Sequence, residues 1–139
     1  MAKVSMKALS KKMRNLDYCM MTTATAGGAL SSRPMSNNGE VEYDGNSYFF
    51  TWKKSRLVKD LKKNSRVNLE FMGAKRLFVS VTGQAKLTDN RAKMADHWTK
   101  ELKTWFKDGV DTDGLVMVQV AAKRIKFWQD EQEGEVVVR

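Results

Sequence analysis

The sequence predicts a mainly β (α+β) fold in which six or seven antiparallel strands form a small barrel with flanking helices. Most of the chain divides into short segments rich in β-branched, aromatic and methionine residues, which favour strands. Tight turns rich in Gly, Asn and Asp separate several of these segments. Strands that follow one another through short turns pair in an antiparallel manner, and closing their sheet into a barrel leaves no unpaired edge.

The first half of the chain is predicted to form a helix, three strands and a second helix. Apolar residues at three- and four-residue steps indicate the first helix: Met6, Leu9, Met13 and Leu16. Strands are expected at Tyr18–Ala24, Ala29–Ser36 and Tyr48–Trp52, with a short Glu40–Tyr43 extension between turn clusters. Pro34 indicates an edge position or a bulge, because proline donates no backbone hydrogen bond. Ser55 is expected to cap a helix that ends near Lys63.

The second half is predicted to form two strands, a helix, and then one long or two short strands. The first two strands are expected at Arg66–Met72 and Leu77–Leu87. Thr88 is expected to cap the helix, whose apolar stripe is Met94, Trp98, Leu102, Trp105 and Phe106. The final strand segments are Leu115–Ala121 and Ile125–Trp128. The tail from Asp130 begins acidic and ends in three valines.

Composition narrows the class of protein. The 139 residues suit one domain over 1–139, and 42% hydrophobic with 29% charged residues is the balance of a globular protein. No apolar run reaches membrane-spanning length, and the lysine-rich stretch 1–14 lacks the apolar core of a signal peptide, so we expect a cytoplasmic protein. The net charge of +9 favours anionic partners, which include nucleic acid, anionic lipid and phosphorylated small molecules.

The sequence contains few residues for catalysis. His97 is the single histidine, and a lone histidine within a helix is typical of a surface or boundary residue. The single cysteine, Cys19, excludes an internal disulfide and is expected to be a small buried hydrophobe. No spacing of His, Asp and Glu indicates a metal site, and no nucleophile-elbow or Walker sequence occurs. Any chemistry is therefore expected to come from a bound cofactor.

Two stretches have the residue types that bind phosphate. In Ser32-Arg33-Pro34-Met35, an arginine next to a strand-breaking proline can direct its forked donors at a phosphate, although an exposed edge-strand arginine has the same appearance. The stretch from Thr51 to Arg56 ends a strand and begins a helix, where free N–H groups, the helix dipole and three cations favour an anion. A solvated basic turn is the alternative there.

These stretches belong to a longer set of motifs, which run in order from Leu16 to Gln129. The set comprises Met20-Met21-Thr22-Thr23, Leu30 to Met35, Tyr48 to Trp52, Ser55-Arg56, Asn64 to Leu69, Val79 to Ala85, and Phe127-Trp128-Gln129. On these motifs the chain resembles the general stress protein branch of the pyridoxamine 5′-phosphate oxidase-like, FMN-binding split-barrel superfamily. The resemblance implies a split barrel and a homodimer with two flavins between its subunits.

The resemblance also implies roles for individual residues. Arg33, Ser55 and Arg56 match the positions that hold the FMN phosphate, and Trp128 matches a tryptophan that approaches the cofactor. The strand residues expected beside the flavin ring and phosphate are Ser32, Pro34, Met35, Thr51 and Trp52. The family usually has a lysine where this chain has Leu57, so Arg56, or Lys59 one turn later, is expected to supply that charge.

Several alternatives remain open from the sequence. FAD offers a phosphate and the same ring as FMN, and the same barrel can hold a deazaflavin or haem. A basic nucleic-acid-binding module is another class, in which Trp52 and Phe50 would stack on bases. We expect no true pyridoxamine-phosphate oxidase activity, because the acidic run from Asp130 to Glu133 follows Trp128 where that oxidase has basic residues.

Overall fold

The computed structural model describes residues 1–39 and 41–138, which form one mixed sheet with short helices around it. The strands are β1 (Ala2–Lys3), β2 (Tyr18–Ala24), β3 (Leu30–Ser36), β4 (Asn46–Trp52), β5 (Arg66–Gly73), β6 (Leu77–Thr88), β7 (Leu115–Gln129) and β8 (Gln132–Val137). The helices are α1 (Met6–Met13), α2 (Arg56–Lys63) and α3 (Arg91–Asp96), with 3₁₀ turns at Lys100–Thr104 and Gly109–Asp111. Within the described ranges, the helices are all too short or too polar to cross a membrane.

The strand order confirms the predicted split barrel. Hydrogen-bonded neighbours run β1-β8-β7-β6-β5-β2-β3, and β4 pairs with β7 outside this path. All pairs are antiparallel except the two-residue pair of β1 with β8. The expectation that closure leaves no unpaired edge is wrong, because within residues 1–39 and 41–138 β3 and β4 each pair on one side only. Pro34 lies on the edge strand β3, as its missing N–H predicts.

A bulge in β7 makes the branched topology possible. The first half of β7 pairs with β4 as far as Ala121, and the second half pairs with β8 from Arg124 onward. The register with β6 shifts between Thr82 and Gly83, which leaves Lys123 as the extra residue. A bulge bends a strand and increases its twist. One continuous strand therefore forms where the sequence left open one long or two short strands.

The core contains the inward-facing side chains of the strands. In β2 the alternation is regular, with Cys19, Met21 and Thr23 buried. Burial, and then the nearby Glu70 carboxylate, raise the pKa of the Cys19 thiol to about 12, so the thiol stays protonated. Cys19 is thus the small buried hydrophobe that the sequence predicts.

The region after β6 differs from the predicted helix. Asn90, not Thr88, caps α3 with its side chain, and α3 ends at Asp96. Thr99 has extended backbone, and a separate 3₁₀ turn carries Leu102. The apolar side chains of this region still pack against β4, because the ring of Trp98 meets the ring of Phe50 edge-on with 4.9 Å between centroids. The short helix α3 and the 3₁₀ turn that follows it therefore pack against β4 in place of one regular helix.

Two further corrections concern the termini and the β3–β4 connection. The tail contains the strand β8, which the sequence analysis did not predict, and β8 pairs with Ala2 and Lys3. Glu40 lies outside the described residues, and Val41–Tyr43 forms no strand. The proposed Glu40–Tyr43 extension is therefore wrong in its described part.

Candidate cofactor-binding site

A strongly basic cleft lies between the β2–β3 hairpin and α2. We call it the cation cleft; its volume is about 570 Å³. It is lined by Thr25, Ala26, Gly27, Ser31, Arg33, Arg56, Lys59, Asp60, Lys62 and Lys63. Five cations and one carboxylate thus surround it. The carboxylate pairs with Arg33, and the other four cations have no carboxylate partner within the described ranges.

Arg33 is fixed in place by its neighbours in the cleft. Its Nη2 lies 3.4 Å from Oδ2 of Asp60 and 3.3 Å from Oγ of Ser31. Its Nη1 donates to Oγ1 of Thr23 at 2.7 Å and to the Met21 carbonyl at 3.3 Å. The terminal N–H groups are therefore all engaged. Among the described residues no group accepts from the Nε–H of this guanidinium, which is therefore the N–H left to contact a ligand.

Residues along the whole length of α2, from Arg56 to Lys63, form the other wall of the cleft, and Ser55 precedes the first of them. The Ser55 hydroxyl caps the helix by accepting from the Val58 N–H at 3.3 Å, and it also accepts from Thr51 Oγ1 at 3.4 Å. Its own O–H is therefore free to donate. Helix geometry leaves the N–H groups of Arg56 and Leu57 without intrahelical partners, and such groups favour an anion. Charge, free donors and helix polarity all suit a phosphate here.

A separate apolar groove lies along β3 and β4, and it begins at Pro34, the residue after Arg33 of the cation cleft. We call it the aromatic groove; it measures about 380 Å³ and is lined by Tyr18, Pro34, Met35, Ser36, Phe50, Thr51, Trp52, Leu102, Trp105 and Phe106. Trp52 and Trp105 are 47% and 61% exposed, although aromatic side chains of this size are mostly buried. The Trp52 ring lies 5.0 Å from that of Phe106. The groove therefore offers flat apolar surface next to the cationic cluster.

The structure brings together most of the predicted site residues. Arg33, Arg56 and Lys59 line the cation cleft, whereas Pro34, Met35, Thr51 and Trp52 line the aromatic groove. Ser55 joins the two through its bond with Thr51. Leu57 is buried, whereas Lys59 lines the cleft; that Lys59 supplies the charge of the family's usual lysine stays a prediction.

Two predicted residues lie elsewhere in the structure. Ser32 is on the opposite face of β3 from Arg33, where its hydroxyl lies 2.6 Å from that of Thr22. Trp128 lies near the end of β7 beside Phe78, in a separate cleft that also contains Lys75 and Arg76. The strand alternation explains the position of Ser32, because neighbouring residues face opposite sides. Their roles toward a cofactor stay predictions.

The sequence analysis missed several residues of these surfaces. Asp60, Lys62 and Lys63 line the cation cleft, and Tyr18 and Trp105 line the aromatic groove. The charged face of α2 could have been recognised from the sequence, because the charged residues at 56, 59, 60 and 63 recur at helical spacing. Tyr18 and Trp105 had no such signal, because their positions depend on contacts between distant parts of the chain.

Comparison with solved structures shows the same fold. A protein from Clostridium acetobutylicum, described as related to general stress protein 26 of B. subtilis, superposes with a TM-score of 0.81 at 18% identity, covering 97% of both chains. A general stress FMN/FAD binding protein from Xanthomonas citri gives a TM-score of 0.76 at 22% identity, covering 91% of this chain and 89% of that one.

Sequence comparison identifies the family. Protein bli-3 of Neurospora crassa is 30% identical over 124 residues, which are 86% of this chain and 59% of that protein, so the chain spans about three-fifths of this curated relative. The family described as "Pyridoxamine 5′-phosphate oxidase like" matches residues 5–138, nearly the whole chain. By this match, the chain belongs to the pyridoxamine 5′-phosphate oxidase-like family.

Proposed function

We propose that this protein binds FMN, with the phosphate in the cation cleft and the isoalloxazine ring along the aromatic groove. The observation that carries the proposal is a cleft with four cations that have no carboxylate partner in the described residues, together with an exposed aromatic groove that begins at Pro34, the residue after Arg33 of the cleft. The Xanthomonas citri relative, whose name states FMN/FAD binding, supports a flavin over other phosphorylated ligands. The function that follows is a flavin-dependent oxidoreductase or a stress-related flavin binder.

The residues at the site suit the two ends of such a cofactor. Arg56 and Lys59 supply charge and N–H donors to the phosphate, and the Ser55 hydroxyl adds a third donor. Trp52 and Met35 offer apolar surface to the ring and keep water from one of its faces. A bound flavin supplies hydride and single-electron transfer, which no residue of this site supplies by itself.

The direct test is the identity of the small molecule that co-purifies with the protein. We expect the released compound to have the mass of FMN and the absorbance bands of an oxidised flavin. We also expect the apoprotein to bind FMN more tightly than riboflavin, because riboflavin lacks the phosphate. Release of FAD, a deazaflavin or haem, or equal affinity for riboflavin and FMN, would contradict the proposal.

We further propose that the protein is not an efficient pyridoxamine-phosphate oxidase. The cleft beside Trp128 contains Asp130 and Glu131 together with Lys75 and Arg76, so its charges cancel. Arg76 also lies 4.0 Å from Asp130, which reduces its availability to a ligand. Such a cleft has no excess positive charge for a substrate phosphate.

An assay of pyridoxal phosphate formation tests this proposal. Two missing charged contacts to the substrate phosphate are expected to weaken binding by roughly a hundredfold or more relative to a true oxidase. We expect no saturation at micromolar substrate. Turnover of about 1 s⁻¹, which is an ordinary enzyme rate, would contradict the expectation if it saturated at micromolar substrate.

A homodimer with flavin at the subunit interface is the third part of the proposal. An apolar row crosses the outer face of the sheet, where Met72 pairs with Phe78 and Phe78 pairs with Trp128. Tyr18 shares a cleft with Met72 and also lines the aromatic groove, so the row extends to the proposed flavin site. Exposed apolar rows of this kind mark contact surfaces. A second copy on this face would cover the ring and bring its own Trp128 near it.

Sedimentation of the flavin-loaded protein tests the dimer. We expect a dimer at micromolar concentration, and we expect Phe78→Glu to yield monomers with weaker flavin binding. Val137→Glu is the matched control, since Val137 is also exposed but lies on β8, outside the row and outside the proposed flavin site. A stable monomer that retains flavin would contradict the proposed dimer.

A further inference from the structure

A carboxyl group lies on the outer face of the sheet, next to the apolar row. Glu70 is on β5, two residues before Met72, so the two side chains share one face and lie about 7 Å apart along the strand. Its neighbour on β2 is Met20, which is 41% exposed, and its neighbour on β6 is Ser80. Exposed apolar side chains therefore flank Glu70 on two sides. A second copy that covers the apolar row also covers this carboxyl group.

The side chain of Glu70 has few hydrogen-bond donors around it. Its Oε1 accepts from the Thr22 hydroxyl at 2.7 Å, and the Thr22 oxygen lies 2.6 Å from the hydroxyl oxygen of Ser32. Its Oε2 is buried and makes no hydrogen bond in the described part of the chain. An ionised carboxylate has about four acceptor sites, so a single donor stabilises the charged form poorly.

No nearby cation compensates for the missing donors. Glu70 forms no ion pair within residues 1–39 and 41–138. The residues of β3 and β6 beside it on this face are uncharged. The nearest titratable or charged residues on the other strands and on β5 itself are Tyr18, Cys19, Arg66, Arg124, Lys126 and Glu135. Lys126 is two strands from Glu70, about 10 Å between backbones, a distance at which salt screens much of the attraction.

These surroundings favour the protonated form of the carboxyl group. Burial raises the pKa of Glu70 above its usual range, and the hydrogen bond from Thr22 opposes only part of this rise. The side chain is half-buried, and a second copy on this face removes the water that remains, which raises the pKa further. A group whose pKa is higher in the dimer than in the monomer takes up a proton on association. Its contribution to the dimer is complete below the pKa of the monomer and is lost as the pH rises through the pKa of the dimer.

We propose that Glu70 makes the homodimer sensitive to pH, because its carboxyl group is protonated where a second copy covers it and resists burial when it is ionised. The inference rests on the homodimer proposed above. Flavin affinity is expected to fall together with the dimer at higher pH, because the second copy covers the flavin ring.

Sedimentation of the flavin-loaded protein over a dilution series, at about pH 5.5 and about pH 8, tests the inference. We expect the dissociation constant of the dimer to be about ten- to a hundredfold higher at the higher pH, because each dimer contains two such groups and one pKa unit in each is a tenfold effect. For Glu70→Gln we expect less than about a twofold difference, because the amide is uncharged and keeps the Oε1 acceptor for Thr22.

Asp113→Asn is the matched control for the loss of a carboxylate. Asp113 is exposed in the turn before β7, so this variant is expected to keep the pH dependence of the wild type. The phosphate of a bound flavin also titrates in this pH range. It is present in the wild type and in both variants, so it cannot explain a difference between Glu70→Gln and Asp113→Asn.

Proton release gives a second readout that needs no variant. Dilution calorimetry of the wild type near about pH 6, in two buffers with different ionisation enthalpies, measures the protons exchanged when the dimer dissociates. We expect a release of up to about two protons per dimer, one from each Glu70.

The possible outcomes separate this inference from the proposed dimer. A wild-type dimer with equal dissociation constants at the two pH values and no proton release overturns the inference and leaves the dimer standing. A tighter dimer at the higher pH, or the same pH dependence in Glu70→Gln as in the wild type, also overturns the inference alone. A monomer at both pH values for the wild type and both variants overturns the two proposals together.

Discussion

Replacement of Arg33 by alanine is expected to weaken FMN binding by about 1.5–3 kcal/mol, which is a factor of about 10 to 150. The change removes the free Nε–H donor and one positive charge from the cation cleft. It also leaves the Asp60 carboxylate, whose side chain is only 14% exposed, without its cationic partner in the same cleft. Affinity for riboflavin is expected to change little, because riboflavin has no phosphate. Parallel fluorescence titrations with FMN and riboflavin measure both quantities, and an unchanged affinity for FMN would place the phosphate elsewhere.

A double variant separates the two possible contributions of Arg33. If the guanidinium contacts the phosphate itself, the double variant Arg33→Ala with Asp60→Asn is expected to bind FMN almost as weakly as Arg33→Ala alone. If its main effect is to neutralise Asp60, the double variant recovers most of the FMN affinity. The engaged terminal N–H groups favour a large contribution from neutralisation, so we expect substantial recovery. Breaking a half-buried ion pair also destabilises the fold, and the thermal unfolding midpoint of each variant must be measured alongside.

Replacement of Gly83 by alanine is expected to destabilise the protein by about 3 kcal/mol. A Cβ atom at Gly83 would clash with the Ala121 carbonyl oxygen and lie 3.0 Å from its carbon. Both atoms belong to the backbone of β7, so neither can move as a flexible side chain would. The clash lies at the bulge that separates the half of β7 paired with β4 from the half paired with β8.

Thermal unfolding measures the effect, and we expect Gly83→Ala to lower Tm by about 10 °C. Gly27→Ala is the matched control: a Cβ at Gly27 meets no atom within 4 Å, and its backbone needs no positive φ. That substitution is expected to be neutral or stabilising by up to about 1 kcal/mol, because it reduces the freedom of the unfolded chain. Equal Tm values for the two variants would show that β7 adjusts at the bulge without cost.

The sequence alone determined the features that depend on short-range patterns. Cys19 was expected to be a buried hydrophobe, and Ser55 was recognisable as the cap of α2 because capping uses only the next three residues. The candidate site residues were chosen for the same reason. Residues around Arg33 and Arg56 lie in local strand and helix-start motifs whose chemistry is visible without the rest of the molecule.

Features that depend on contacts between distant segments were decided only by the tertiary structure. The helix after β6 is broken at Thr99 because its aromatic stripe has to meet β4, and local periodicity contains no information on that surface. Likewise, β8 has no strong strand pattern of its own and forms against the second half of β7. The propensity of a short segment is weak, and tertiary packing overrides it.

The candidate sites also combine features that are set by the local sequence with features that are set by contacts between distant segments. Arg33 was predicted as a free phosphate ligand, but its pairing with Asp60 joins two residues 27 positions apart and could not be read from either motif. Asp44 and Asp96 line one cavity although they come from the β3–β4 connection and from α3, and no sequence motif links them. Side-chain chemistry is a local property of the sequence, whereas the partners that use or neutralise that chemistry are set by how the chain folds back on itself.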